Sequence, residues 1–409
     1  MTRARFASIR PTRGLIICLA GGVIGGATYR HFQTKGDLED GDALNPQTFT
    51  PYTIVSKQPV SSTSSIFTLR CPDVDHGGAI QRQKESDQSL QEIWQRGVWS
   101  VQAKQPQLQI ARSYTPLPPA PVEQEGDSNV TSSNGAQNHA PESQNQQPGD
   151  LRFLIRAEKN GEVSNYLHSL PLSSTVALRG PFPEFELPPD VREVIFIAGG
   201  TGIAPAMQVA HILARRPGTR IHILWNTRRK DEIQGGENDV PTGPPLKSDT
   251  RRKLSDWDPW SKISRWNAFG FGQNEKPSHT PARGTVKSAE VEKSVVVKEL
   301  EALKKQFRRT PQGTDDRPGG LTTEYFADED HKFVKPKDVA RQMRRVAEEE
   351  EDFGQQSGTK LILISGPDGF IDLWAGKKAW IGGREVQGPL GGYFANFNVV
   401  SRGWKIWKL

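Results

Sequence analysis

The chain has 409 residues, enough for two domains, yet only 34% are hydrophobic, too few for every part to be packed in a core. Two cysteines, Cys18 and Cys71, exclude a disulfide framework, and the eight histidines are scattered without ligand spacing, so no metal site is expected. The net charge of +6 is dispersed and no basic module interleaved with aromatics appears, which excludes nucleic acid as the expected partner and leaves acidic partners or an anionic membrane surface.

The amino terminus reads as an address and an anchor. Residues 1–36 carry Arg3, Arg5, Arg10, Arg13, Arg30 and Lys35 but no Asp or Glu, a composition that resembles mitochondrial targeting segments. Gly14–Tyr29 is uncharged and apolar, somewhat shorter than the ~20 residues that a spanning helix prefers. Its Gly21-x-x-x-Gly25 and Gly22-x-x-x-Gly26 spacings suit close helix packing in lipid. A cleaved presequence is the alternative; an uncleaved span is favoured. The preceding arginines then put the amino terminus in the matrix and the bulk of the chain in the intermembrane space.

A polar linker, 37–48, leads to four expected strands, Tyr52–Gln58, Ile66–Arg70, Val98–Lys104 and Leu108–Ala111. Between them Asp73–Glu92 is a polar interruption. The last strand runs into Arg112-Ser113-Tyr114-Thr115-Pro116. Arginine offers a fork of donors to a pyrophosphate, tyrosine a flat face to a ring, threonine a hydroxyl. Residues 118–149, rich in Pro, Ser, Asn and Gln, read as a disordered insertion. Leu151–Arg156 resumes strand character. In Gly161-Glu162-Val163-Ser164 a glycine turn opens a short helix, a second place for a phosphate or simply a capped helix. Val176–Arg179 is a further strand, and Gly180-Pro181-Phe182 marks the passage between the halves. The first half is expected to be an antiparallel β-barrel.

The second half alternates strand and helix. Val194–Ala198 is an apolar strand that ends in Gly199-Gly200-Thr201-Gly202-Ile203-Ala204-Pro205. Ala206, Val209, Ala210 and Leu213 then share one helical face. Glycines let a backbone approach a pyrophosphate whose charge is met by the helix N-terminus. Pro205 stands where the third glycine of G-x-G-x-x-G would be, so this is not the ordinary Rossmann fingerprint. Pro217-Gly218 stops the helix and Arg220–Trp225 is the next strand. Asn226-Thr227-Arg228-Arg229-Lys230-Asp231 follows, a solvated charge run of a loop or a pair of arginines that would suit a 2′-phosphate, against which Asp231 argues. A second insertion, 234–293, holds Trp257, Trp260, Trp266 and Phe269, read as anchoring aromatics of a loop or as a docking patch. Val295–Phe307 reads as a helix, Asp338 as the cap of another over Val339–Glu350, and Leu361–Ile364 as a buried strand leading to Ser365-Gly366-Pro367-Asp368-Gly369.

Taken in order, Arg-x-Tyr-Thr, Gly-x-Val-Ser, Gly-Gly-Thr-Gly-Ile-Ala-Pro and Gly-Pro-x-Gly resemble the ferredoxin–NADP reductase-like flavoproteins, and the nearest large branch looks like NADH–cytochrome b5 reductase. The resemblance covers roughly Phe49 to the C-terminus outside the insertions. It implies an α+β two-domain architecture: an FAD-binding antiparallel barrel, 49–188, then an NAD(P)-binding α/β domain with a parallel sheet, 189–409. By the same resemblance Arg112 meets the FAD pyrophosphate, Tyr114 stacks on the isoalloxazine, and Thr115 approaches flavin N5. Gly161, Val163 and Ser164 hold the pyrophosphate. Gly199, Gly200, Thr201 and Gly202 meet the nicotinamide nucleotide, with Thr201 near the hydride path, and Gly366 and Pro367 close over the nicotinamide. Ser365 takes the place of a frequent cysteine, which puts hydride-transfer efficiency in question, and the C-terminus lacks the short aromatic tail of some branches.

More narrowly, the anchor, the insertions, Tyr325–Asp330 and the Ser-Gly-Pro-Asp-Gly turn resemble fungal mitochondrial flavoproteins of the cytochrome c import-factor type. That implies an NADH- or NADPH-dependent enzyme of the inner membrane, facing the intermembrane space. It would pass electrons through FAD to haem or a haem protein and serve the machinery that attaches haem to cytochrome c. The alternatives are a cytochrome b5 reductase of the outer membrane and a redox-inactive, flavin-binding assembly factor.

Overall fold

The computed structural model describes residues 44–71, 90–120, 147, 149–239, 292–309, 319–353, 357–396, 399 and 402–409. The expected span Gly14–Tyr29, most of both expected insertions and the aromatic residues of the second lie outside these residues. No helix among the described residues is long and apolar enough to cross a membrane.

Among the described residues, seven strands form the first half: β1 (Thr50–Pro59), β2 (Ser64–Arg70), β3 (Gly97–Gln105), β4 (Ile110–Tyr114), β5 (Pro116–Leu117), β6 (Leu151–Arg156) and β7 (Thr175–Glu186). They pair antiparallel in the order β4-β3-β7-β1-β2-β6-β5. The two ends of this order, β4 and β5, are separated in sequence by Thr115 alone, so the chain itself joins the edges and the sheet closes into a barrel. Alternate residues fill it: Tyr52 and Ile54, Phe67 and Leu69, Trp99, Val101 and Ala103, Leu151, Phe153 and Ile155, Val176 and Leu178 share one core. Helix α1 (Glu162–Ser169) adds Val163 and Leu167 to it.

Two expectations shift here. The strand predicted at Leu108–Ala111 is displaced to Ile110–Tyr114, because 106–109 form the turn that reverses the chain. The strand predicted to end at Arg179 runs on to Glu186, so Gly180-Pro181 lies inside β7 and the passage to the second half comes after it. Gly180 sits against the Ser100 carbonyl and Val101 of β3, a close approach that a side chain would obstruct.

The second half is β8 (Val191–Gly199), a 3-10 turn over Gly200–Gly202, α2 (Ile203–Leu213), β9 (Arg220–Thr227), α3 (Val295–Arg309), β10 (Gly320–Ala327), α4 (Pro336–Phe353), β11 (Thr359–Ser365), α5 (Asp368–Ala375), a hairpin of β12 (Ala379–Ile381) and β13 (Arg384–Val386), and β14 (Trp404–Lys408). Its five-stranded sheet is parallel throughout, in the order β10-β9-β8-β11-β14. Both faces are covered, so successive residues of one strand enter different cores. Val194, Phe196 and Ala198 face α2 and α3, whereas Ile195 and Ile197 face the side of α4 and α5. β10 and β14 are strands that apolar periodicity did not announce. Asp338 does not cap α4 from outside; it lies in the first turn, where its Oδ2 accepts the Lys335 N–H at 2.9 Å.

One apolar cluster joins the halves. Ile66, Val98, Leu117 and Leu154, on the outside of the barrel, pack with residues of α2 and α3. This explains why all six residues of β6 are buried: Leu151, Phe153 and Ile155 enter the barrel, while Arg152, Leu154 and Arg156 face the second half.

Candidate functional site

On the barrel, β4 carries Arg112 and Tyr114 at alternate positions, so they share a face. Arg112 is exposed, with its Nη2 3.9 Å from a carboxylate oxygen of Glu162 in the first turn of α1. Gly161 precedes that turn, and no side chain caps it. A guanidinium beside an uncapped helix N-terminus brings two positive features together. An anion between them would satisfy both, so the site fits a pyrophosphate. Ser164, buried one turn in, donates to the Gly161 carbonyl at 3.2 Å and accepts the Glu158 N–H at 3.3 Å. A Cβ on Gly161 would overlap the Ser164 hydroxyl, so a larger residue there would turn that hydroxyl out of its bonds with the loop.

Tyr114 is half-buried and packs against the barrel core, beside Phe153, Ile155 and Val176. Burial pushes its phenol up to about 12, with Arg112 opposing, so it remains neutral across the physiological range. Thr115 is half-buried at the junction of β4 and β5.

The glycine turn lies where ligands gather in open α/β sheets, at the carboxyl ends of the strands where strand order reverses. Here that point falls between β8 and β11. Gly202 touches the end of β11: a Cβ on it would stand 2.6 Å from the Ser365 carbonyl carbon and 2.8 Å from Gly366 N. Gly200 adopts φ +56°, a conformation that favours glycine, and its carbonyl accepts from Trp225 Nε1 at 2.9 Å. Gly199 and Gly366 form a floor covered by the ring of Phe370. Thr201 is half-buried, Ser365 buried, and Pro367 exposed at the start of α5.

The seam brings the wall of the barrel to the glycine turn and the helix after it. Gln208 of α2, fully buried, donates to the Pro116 carbonyl at 2.9 Å and to the Trp99 carbonyl at 3.2 Å, and accepts the Trp99 N–H at 3.0 Å. Thr115 thus directly precedes a residue that is bonded to the helix opened by Gly200–Gly202. Arg156 of β6 bonds Glu232 of the parallel-sheet half, and its Nη1 would stand 2.9 Å from a Cβ on Gly200. Arg152 makes a second buried pair with Glu299 of α3.

Sequence reasoning did not single out Arg156, Glu232, Gln208 or Phe370. Arginines at alternate positions of an otherwise apolar strand are a usable signal for Arg152 and Arg156, since a buried charge requires a partner. Glu232 and Gln208 give no comparable signal.

Each base of the run after β9 already faces an acid. Arg228 lies 3.2 Å from Glu158, Arg229 3.5 Å from both Asp231 and Glu329, and Lys230 3.4 Å from Asp330. The acids at 328–330 form a 3-10 turn at the carboxyl end of β10, where Asp328 also accepts from Asn226 at 2.8 Å.

Residues 127–187 match the family profile described as the oxidoreductase FAD-binding domain. The chain is 30% identical over 170 residues to the cytochrome c mitochondrial import factor of Saccharomyces cerevisiae, covering 40% of this chain and 39% of that protein. It is 28% identical over 104 residues to NADH-cytochrome b5 reductase 2 of Scheffersomyces stipitis, covering 25% of this chain and 35% of that protein. Among solved structures, the cytochrome b5 reductase domain of Ulva prolifera nitrate reductase aligns at a TM-score of 0.40 and 15% identity, over 80% of this chain and 91% of that one. The chain thus spans about two fifths or less of the length of these curated relatives. The cofactors these likenesses indicate are FAD and NADH or NADPH.

Proposed function

We propose that this chain is an FAD-dependent oxidoreductase that takes reducing equivalents from NADH or NADPH and delivers them to a haem or a haem protein. The observation that carries the reading is the seam. It ties Pro116, which follows Tyr114 and Thr115 of the barrel, to the helix after the glycine turn, and sets Arg156 of the barrel against Gly200 at the switch point of the parallel sheet. When bound, FAD supplies the exchange between the two-electron chemistry of nicotinamide and the one-electron chemistry of haem.

The chain's own part is binding, alignment and exclusion of water. Arg112 and the N–H groups that follow Gly161 would bind the pyrophosphate, with Val163 packed into the barrel below and Ser164 tying down the loop. Thr115 would offer its hydroxyl to the flavin edge, and the neutral phenol of Tyr114 its ring. Gly200, Thr201 and Gly202 would receive the dinucleotide, and Gly366 and Pro367 its nicotinamide end. Ser365 is buried below them and would order the end of β11. The carboxylates paired with Arg228 and Arg229 support NADH over NADPH, because they compete with a 2′-phosphate for both arginines.

The likeness to a cytochrome c import factor supports a mitochondrial setting. We infer that the haem acceptor belongs to the machinery that attaches haem to cytochrome c, with the chain on the inner membrane facing the intermembrane space. The test is anaerobic. The purified full-length protein is examined for a flavin spectrum, NADH or NADPH is added under argon, and ferric haem follows. Bleaching by the nucleotide and recovery with haem are expected. Bound flavin that does not bleach would leave a redox-inactive assembly factor, and absence of flavin would overturn the cofactor assignment.

A further inference from the structure

The hairpin of β12 and β13 joins neither of the larger sheets. Its base is clamped to the edge of the parallel sheet. Gln387 donates to the Lys408 carbonyl at 2.8 Å and accepts the Lys408 N–H at 2.8 Å. Lys408 Nζ in turn donates to the carbonyls of Lys377 and Pro389, at 3.0 and 3.2 Å. The tip, in contrast, projects. Gly382 and Gly383, at φ +60° and +75°, make a two-residue turn, and a Cβ on either would meet open space. Trp380 pairs across the strands with Glu385, and Ile381 with Arg384. Adjacent residues of a strand point to opposite faces, so Trp380 and Ile381 stand on different sides of the hairpin. They are 72% and 68% exposed, so at the tip the described residues cover neither face. A two-stranded hairpin is marginal in water unless it packs a face, and here both large apolar side chains are left out.

We propose that this hairpin is a membrane-docking wedge that enters the interface of a bilayer containing anionic lipid. A flat protein surface would cover one face and leave the other apolar side chain in water, whereas a fluid interface closes round both. The charges have the sign that anionic headgroups require. Glu385 is neutralised by Lys378 at 3.0 Å, while Lys377 and Arg384 are exposed and no ion pair engages them among the described residues. Long basic side chains keep their charge among the headgroups while their stems lie on apolar surface. Trp380 suits the headgroup level, with its indole N–H wet and its ring in the apolar boundary. Docked in this way, the hairpin holds the parallel-sheet half at the membrane surface, whether or not a flavin is bound.

The experiment places an environment-sensitive dye on the tip of the full-length protein, so that attachment through any other segment does not imitate the signal. A nitrobenzoxadiazole dye is fixed to Ile381→Cys in a chain that also carries Cys18→Ser and Cys71→Ser. Vesicles of phosphatidylcholine alone, or of phosphatidylcholine and phosphatidylglycerol in equal parts, are then titrated in. A blue shift and protection from acrylamide quenching are expected with the mixed vesicles, and little change with phosphatidylcholine alone. Adding Lys377→Ser and Arg384→Ser is expected to raise the lipid needed for half the response about thirtyfold, the contribution of two cations near an anionic surface. Trp380→Ser is expected to raise it too. The same dye on Leu108→Cys, in an exposed turn of the barrel, is expected to report no change. No response on the hairpin, an equal response on the barrel turn, or indifference to the loss of both cations would overturn the wedge. A blue shift that grows with protein concentration before vesicles are added would also overturn it, and would make a second copy of the chain the occupant.

Discussion

Arg156 on the barrel and Glu232 on the parallel-sheet half form an ion pair dried by both: Nη2 lies 2.8 Å from Oε1 and 2.6 Å from Oε2. Ser64 donates to the same carboxylate at 2.6 Å and Thr227 donates to it as well, so its lone pairs are filled. The pair sits against Gly200 and ties the glycine turn to the wall of the barrel.

Removing one partner strands the other. Glu232→Ala would leave the Arg156 guanidinium buried without its counter-charge and should destabilise the protein by about 3–5 kcal/mol. Glu232→Gln, which keeps a hydrogen-bonding oxygen, should cost less. Urea denaturation of the two variants checks both magnitude and order; equal losses would show that packing, not charge, dominates at this point.

Gln208 is the neutral counterpart of that pair. Gln208→Leu keeps the volume but leaves the Trp99 N–H and two carbonyls buried and unsatisfied, at about 1–3 kcal/mol for each group left unpaired. Hydrogen exchange offers the sharper readout, because the Trp99 amide should lose protection while amides at the centre of β8 keep theirs.

His211, buried on α2 against the ring of Trp94, has its imidazole pushed down to about 4 by burial, with Arg215 adding to the effect. The folded state therefore binds this proton less readily than the unfolded chain, whose value is near 6.5. Stability from this group is complete above pH 6.5 and falls as the pH drops towards 4, by about 3 kcal/mol across that window. His222, pushed down by burial, acts with the same sign. Denaturation midpoints at pH 7, 5.5 and 4 should decline steeply in the wild type and less so in His211→Gln.

Gly202→Ala tests the contact between the strand ends. The added methyl would meet the backbone of Ser365 and Gly366, which cannot rotate away as a side chain would. Either β8 and β11 separate or the turn shifts, at about 1–3 kcal/mol. A lower melting temperature together with weaker dinucleotide binding is expected; an unchanged protein would mean that the crevice is wider than the structure describes.

Much of the architecture was legible because it is written locally. The alternation in β1–β3, the apolar run of β8, the glycine turn and the periodicity of α2 each follow from residues a few positions apart. β10 was harder to read, because Leu-Thr-Thr-Glu-Tyr-Phe mixes polar and apolar residues. Its polar groups find partners on other elements, as when Glu324 takes hydrogen bonds from Arg341 and Gln342 of α4. β14 was missed because its lysines hide a strand whose Lys408 is buried, donating to the carbonyls of Gly376, Lys377 and Pro389.

By itself the sequence determined the kinds of element, the order of the motifs and the residue types available to hold phosphates and rings. Only the tertiary structure decided which of them meet. Arg156 and Glu232 are 76 residues apart, and Phe370 reaches Gly199 only because β11 lies beside β8 in the sheet. Such contacts are set by strand order and by the docking of one half on the other, and these follow from burial summed over the whole chain rather than from any local pattern.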